Sequence, residues 1–150
     1  MATMTVTSTE RGAKPCVFCE VIEGAERSGV VLDEERTVAF LDRAPVFKGH
    51  VLVVPRQHVV TLADLPVVEV QPLFAAVQRI SAAMPGAFGC DGTFVAINNV
   101  VSQSVAHLHV HVVPRRRKDG LRGFFWPRTR YADDAEAAEF AELLRSTLER

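Results

Sequence analysis

Residues 103–115 read QSVAHLHVHVVPR, and the alternation inside them decides the fold. Three of the five histidines, His107, His109 and His111, are separated by Leu108 and Val110 and followed by Val112 and Val113. On a strand, positions i, i+2 and i+4 share one face, with neighbours roughly 7 Å apart. On a helix the same positions fan out around the axis. The aliphatic and β-branched spacers favour the strand. One face then carries three imidazoles and the other carries core side chains. Asn98, Asn99, Ser102, Gln103 and Ser104 lie just upstream, and Arg115–Arg117 just downstream.

Working outward, the spacing predicts a strand over Val105–Val113 and another over Thr93–Asn98. The segment His50–Pro55 (HVLVVP) is too apolar and β-branched for a surface strand and is expected at the centre of a sheet. Ser28–Asp33 and Arg36–Asp42 read as a hairpin turning at Asp33–Glu35. A helix is expected over Asp64–Met84, with Val70, Leu73, Phe74, Val77, Ile80 and Met84 as its buried stripe. Pro66 and Pro72 place its regular part from about Glu69, and Pro85-Gly86 should end it. A short helix is predicted at Cys16–Glu23, stopped by Gly24. A last helix is predicted at Asp133–Arg150. Asp133 and Glu136 resemble a capping box there, and Ala137, Phe140, Leu144 and Leu148 make its buried stripe. Helices and hairpins in this order predict an α+β domain: a five-stranded, mainly antiparallel sheet, one long central helix, a short N-terminal helix and a C-terminal helix.

A chain of 150 residues is one domain of common size, read here as a flexible stretch 1–14 and a single domain 15–150 closed by helix 133–150. Its 48% apolar and 23% charged residues are ordinary globular values. No apolar run approaches the ~18 residues of a membrane span. The opening MATMTVTSTE lacks the apolar core of a signal peptide, so a cytoplasmic location is expected. Three cysteines, Cys16, Cys19 and Cys90, cannot build a disulfide framework and read as thiols or metal ligands. The net charge of −1 hides a split: residues 115–130 hold seven Lys/Arg and one Asp, a local +6, so the remainder carries −7. That balance excludes a wholly basic nucleic-acid binder, and nucleic acid is not expected as a partner.

The three imidazoles admit two chemistries besides an unspecialised strand. A neutral ring nitrogen can attack phosphorus, provided the other nitrogen donates to a fixed acceptor. Alternatively, three imidazoles can hold zinc with an open position. Cys16-x-x-Cys19 reads either as two small residues of a buried helix or as half a metal site. A redox pair fits poorly, because no βαβ unit follows it.

CVFCEVI at 16–22, FLDRAP and FKGHVLVVPRQH at 40–58, and QSVAHLHVHVVPR stand in an order and spacing that resemble the histidine triad family of nucleotide hydrolases and transferases, in its bacterial branch related to Hint and Fhit proteins. The resemblance covers about residues 15–118. It implies that His109 is the nucleophile that becomes nucleotidylated. The His107 carbonyl would hold the tautomer of His109, and His111 would bind the phosphate. Ser104 and Gln103 would contact the scissile phosphate or leaving group. Asp42 would bind the ribose hydroxyls, Phe40 and His50 would line the nucleoside pocket, and Asn98 would touch substrate. Taken alone, Asp42 reads as a turn residue and His50 as the start of a strand. Cys16, Cys19, His58 and His107 would complete a structural zinc site of the kind some bacterial relatives carry, with no catalytic cofactor required. A homodimer is also implied.

The resemblance implies hydrolysis of purine nucleoside phosphoramidates or dinucleoside polyphosphates of the Ap3A/Ap4A type, releasing a nucleoside monophosphate. A nucleotide-binding scaffold with incidental turnover is the alternative. His111 stands where the uridylyltransferase branch carries Gln, which favours hydrolysis. One departure is NNVVSQS at 98–104, short and without glycine where the family has a Gly-rich connection; fewer backbone N–H groups are expected to face the phosphates. The basic aromatic stretch 115–130 reads as a solvated loop, a dimer contact, a rim for distal phosphates or a single-strand surface.

Overall fold

The computed structural model describes residues 15–121 and 129–150. They fall in two compact units, one through Asp119 and one from Gly120. The stretch 1–14, expected to be flexible, lies outside the described residues. So do the aromatics Phe124, Phe125 and Trp126.

In the first unit the elements follow as α1 (Val17–Ile22), β1 (Val30–Asp33), β2 (Thr37–Leu41), β3 (Val51–Pro55), α2 (Val67–Phe88), β4 (Gly92–Ala96) and β5 (Val110–Arg115). The sheet runs β1-β2-β3-β5-β4. Every neighbouring pair is antiparallel. The α+β architecture read from the sequence is present, and β3 occupies the centre, as its unbroken apolar run requires.

The two faces of the sheet carry separate cores. Ala39, Val51, Val53, Leu108, Val110 and Val112 pack with Leu73, Ala76, Val77 and Met84 of α2. Val38, Phe40, Leu52 and Val54 pack with Phe18 and Val21 of α1. Burying each such Val, Leu or Phe contributes about 1.5–3 kcal/mol. Both faces of β2 and β3 are therefore covered, and α1 is the lid of the face on which the imidazoles lie.

β5 begins at Val110 rather than Val105. The β3–β5 ladder pairs Val53 with Val110 and stops there. Two residues on, Pro55 has no N–H to continue the ladder, and its carbonyl is taken by the His107 ring at 2.9 Å. Leu108 N–H turns instead to Val59 O, at 2.7 Å. His107 and His109 thus lie ahead of the strand. Their alternation survives: Leu108 lies in the α2 core, while His107 and His109 contact Phe18 of α1.

The helix α2 is longer at both ends than the prolines suggest. It starts at Val67 with Pro66 as its cap, and it carries Pro72 and Pro85 inside. Each proline deprives one carbonyl four residues earlier of its partner. Behind Pro72 that carbonyl belongs to Val68, which is exposed to water. Pro85-Gly86 does not end the helix; Gly89 does, in the left-handed conformation at φ 62°. Of the expected stripe, Leu73, Val77 and Met84 are buried, Ile80 packs against the core, and Val70 and Phe74 stand at the exposed margin.

In the second unit α3 spans Asp134–Leu148, with Asp133 accepting from Glu136 N–H. Glu136 answers by accepting from Ala132 N–H, one residue earlier than a capping box requires. The stripe expected to be buried is not: Phe140, Leu144 and Leu148 are exposed, and α3 buries no residue. Helical spacing identifies an apolar face but not what covers it.

Candidate active site

Two histidines of the triad have a ring nitrogen committed to a backbone carbonyl, and the third has one committed to another imidazole. His109 Nδ1 lies 2.7 Å from the carbonyl oxygen of His107. A carbonyl only accepts, so Nδ1 carries the proton and Nε2 keeps its lone pair. His107 Nε2 lies 2.9 Å from Pro55 O and donates to it, which leaves Nδ1 with the lone pair. His111 Nδ1 lies 3.0 Å from His50 Nε2. The three rings therefore do not converge on one point. Among the described residues no metal-ligand cluster contains more than one of them, so the reading of the triad as a three-imidazole zinc site is set aside.

His109 and His111 open onto a cavity of about 470 Å³. Phe18, Val21, Val30, Phe40 and Leu52 form its apolar walls, and Asp42, Arg43, Glu26, Ser28 and Ser104 its polar rim. Of the residues singled out from the sequence, Phe40, Asp42, Ser104, His109 and His111 are brought together here. His50 is buried behind His111 and does not line the cavity. Asn98 stands at the start of the 98–104 loop, also off the cavity wall. Gln103 is occupied in holding that loop: its amide NH2 donates to Val60 O and its carbonyl accepts from Val100 N–H. Sequence reasoning missed Phe18 and Val21, although their i, i+3 spacing on α1 was the available signal. Glu26, Ser28 and Arg43 gave no signal, because they lie on turns and join the rim only through folding.

A second cluster sits behind His107. Cys19 Sγ is 3.3 Å from His58 Nδ1. Cys16 Sγ and Cys19 Sγ are each 3.6 Å from His107 Nδ1. Zinc bond lengths and a tetrahedral angle place sulfur and nitrogen ligands about 3.5 Å apart. The spacing fits, and His107 Nδ1 presents the lone pair that a metal needs. Burial, helped by the neighbouring Cys16, pushes the Cys19 thiol up to about 11; a bound cation would reverse that and hold the thiolate.

The HIT domain family matches residues 23–118. The chain belongs to this family. A HIT family protein of Bacillus anthracis superposes with a TM-score of 0.80 at 28% identity, over 91% of this chain and 99% of that one. A Zn-bound histidine triad family protein from Mycobacterium smegmatis does so with a TM-score of 0.68 at 33% identity, over 90% and 99%. The adenosine 5'-monophosphoramidase hnt1 of Schizosaccharomyces pombe is 29% identical over 114 residues, 75% of this chain and 83% of its own length. Nucleotide hydrolases thus occur among the relatives of this HIT chain.

The glycine-free loop of this HIT protein bends without glycine. Val100 and Ser102 both adopt positive φ, 67° and 61°. Asn99 Oδ1 accepts from Leu62 N–H and Gln103 braces the turn. A left-handed β-branched residue costs on the order of 1–2 kcal/mol, and asparagine tolerates that region better. Val100→Asn should therefore stabilise the protein by about 1 kcal/mol, raising Tm by roughly 2–4 °C. A thermal melt that shows no rise would contradict the strain.

Burial also shapes the titration of this site. It lowers the pKa of His50 below its usual 6.5, against the opposing pull of Asp42. Burial, reinforced by His109, lowers His111 to about 4. In the unfolded chain both imidazoles take up protons near 6.5, whereas folded His111 does so only near 4. Between those values the unfolded chain binds more protons. Stability should hold above about pH 6.5 and fall as pH drops toward 4, which urea midpoints at pH 7.5, 6 and 5 would register. An unchanged midpoint would show that the two rings titrate normally.

Of the basic segment, Arg115 forms a two-pronged ion pair with Asp119. Arg116 donates to the carbonyls of Phe88 and Gly89 at the end of α2. These two cations hold the chain rather than await an anion.

Proposed function

We propose that this HIT protein is a nucleotide hydrolase that transfers a nucleotidyl group to His109 and then to water. The observation that carries the reading is the 2.7 Å bond from His109 Nδ1 to the His107 carbonyl beside the cavity, because it leaves Nε2 as a neutral nucleophile. In the first step Nε2 attacks the α-phosphorus, a P–N bond forms, and the bond from phosphorus to the leaving group breaks. The leaving group takes up a proton from solvent, relayed by the Ser104 hydroxyl at the rim. In the second step water attacks the same phosphorus, the P–N bond breaks, and the nucleoside monophosphate leaves with His109 restored.

The Asp42 carboxylate accepts from the ribose hydroxyls. Phe40, with Phe18 and Leu52, holds the nucleobase against apolar walls. His111 donates to the phosphate oxygens as their charge develops. Gln103 supports the loop rather than the substrate. The substrate class is purine nucleoside phosphoramidates or dinucleoside polyphosphates, in keeping with the phosphoramidase named among the relatives. Cys16, Cys19, His58 and His107 would hold a structural zinc, which supplies a rigid tie between α1 and the backbone that carries His109. A cytoplasmic homodimer, joined through α2 and a sheet edge, completes the proposal; no described helix is long and apolar enough to cross a membrane.

Rapid mixing with an adenosine phosphoramidate, followed by acid-free quenching and intact mass spectrometry, tests the mechanism. The expected result is a transient gain of one AMP unit that His109→Ala lacks. Turnover without an adduct overturns the covalent route, and tight AMP binding without turnover favours a nucleotide-binding scaffold.

A further inference from the structure

His50 has its own fixed polarity. The backbone N–H of Val46 lies 3.1 Å from His50 Nδ1 and donates to it. An N–H can only donate, so Nδ1 must present a lone pair. The Asp42 carboxylate is 3.6 Å from the same nitrogen, beyond hydrogen-bond reach, and does not compete. The ring is 3% exposed, and burial keeps it neutral. A neutral imidazole whose Nδ1 is bare carries its one proton on Nε2. That proton points at His111 Nδ1, 3.0 Å away.

We infer that His50 is a positioning residue: the Val46 N–H fixes its tautomer, and its Nε2–H fixes His111 as a donor toward the substrate phosphate. His111 accepts at Nδ1, so its proton sits on Nε2, the ring's other polar atom, and His111 lines the cavity. The opposite tautomer of His50 would force His111 to donate backward from Nδ1. A lone pair would then meet the phosphate oxygens, and attraction would become repulsion. The polarity thus starts in the backbone of the loop between β2 and β3 and runs through two rings to the phosphate. This assignment rests on the proposed contact of His111 with phosphate, but the tautomer itself does not depend on it.

Nitrogen-15 NMR of ring-labelled protein without nucleotide reads the tautomer directly. Expected are a pyridine-type Nδ1 and a pyrrole-type Nε2 on His111, with the same assignment on His50. A protonated His111 Nδ1, a mixture of tautomers, or stoichiometric binding of added Zn²⁺ at Asp42, His50 and His111 overturns the inference. His50→Gln keeps an N–H near the position of Nε2, whereas His50→Leu removes it. The Leu variant should scramble the His111 tautomer and lower kcat/KM for an adenosine phosphoramidate about 10²–10³-fold, the usual loss for one donor to a developing oxyanion. The Gln variant should stay within about tenfold of wild type. Equal rates or unchanged His111 spectra in the Leu variant overturn the relay. If the tautomers are as expected while wild type turns over no nucleotide, the functional reading fails and only the tautomers of His50 and His111 stand.

Discussion

Replacing His109 by alanine lowers kcat/KM for an adenosine phosphoramidate by about 10⁴-fold or more, while the dissociation constant for AMP changes by only a few-fold. A loss of 10⁴ corresponds to about 5.5 kcal/mol of transition-state stabilisation. A loss of that size is what removal of the proposed nucleophile would cause. Removing it forces water to attack the substrate directly, with the remaining donors supplying whatever residual rate survives. His111, Ser104 and Asp42 still line the cavity in the variant, so ground-state binding has little reason to change. The substitution does leave the His107 carbonyl without its ring partner, at about 1–3 kcal/mol of stability. A melting curve recorded beside the kinetics separates that cost from the chemical one. Steady-state assays and calorimetric AMP titrations of wild type and variant decide the matter. A variant that keeps a tenth of the activity would remove His109 from the role of nucleophile.

The alternation of HLHVHVV disclosed which faces the side chains take, because period two is a local property of extended backbone. It did not disclose where hydrogen bonding begins. That depends on Pro55, a residue of another strand, which cannot donate and whose carbonyl is taken by His107. The prolines of α2 misled for the opposite reason: their local cost is real, but packing of Leu73, Val77 and Met84 outweighs it. At the site, Asp42 and His50 carried no intrinsic signal, and only the register of the family drew attention to them. Even so His50 lies behind the cavity rather than in its wall. Its task depends on the Val46 N–H, a backbone group that no side-chain motif records. The rim formed by Glu26, Ser28 and Arg43 is likewise a product of turns that meet only in the folded chain.

Protein purified without chelator should contain one zinc per chain, and stripping that metal should lower Tm by about 10 °C. The arithmetic follows from linkage: a metal held about a thousandfold below its free concentration stabilises the native state by about 4 kcal/mol. For a chain of this size each kcal/mol is worth roughly 2–4 °C. The four ligands join α1, the segment after β3 and the residue whose carbonyl orients His109. Without the metal, two half-buried thiols and two imidazoles remain close together with no cation to pair them, and Cys19 stays protonated up to about 11. A Cys16→Ser, Cys19→Ser double variant should melt at the temperature of the stripped protein and ignore further chelator. Elemental analysis and paired melts with and without chelator provide the readouts. A metal that served catalysis instead would give the reverse pattern, with activity lost on chelation and Tm unmoved. His107 makes the two cases distinguishable within one protein, since its Nδ1 faces the thiols while its backbone oxygen faces the nucleophile.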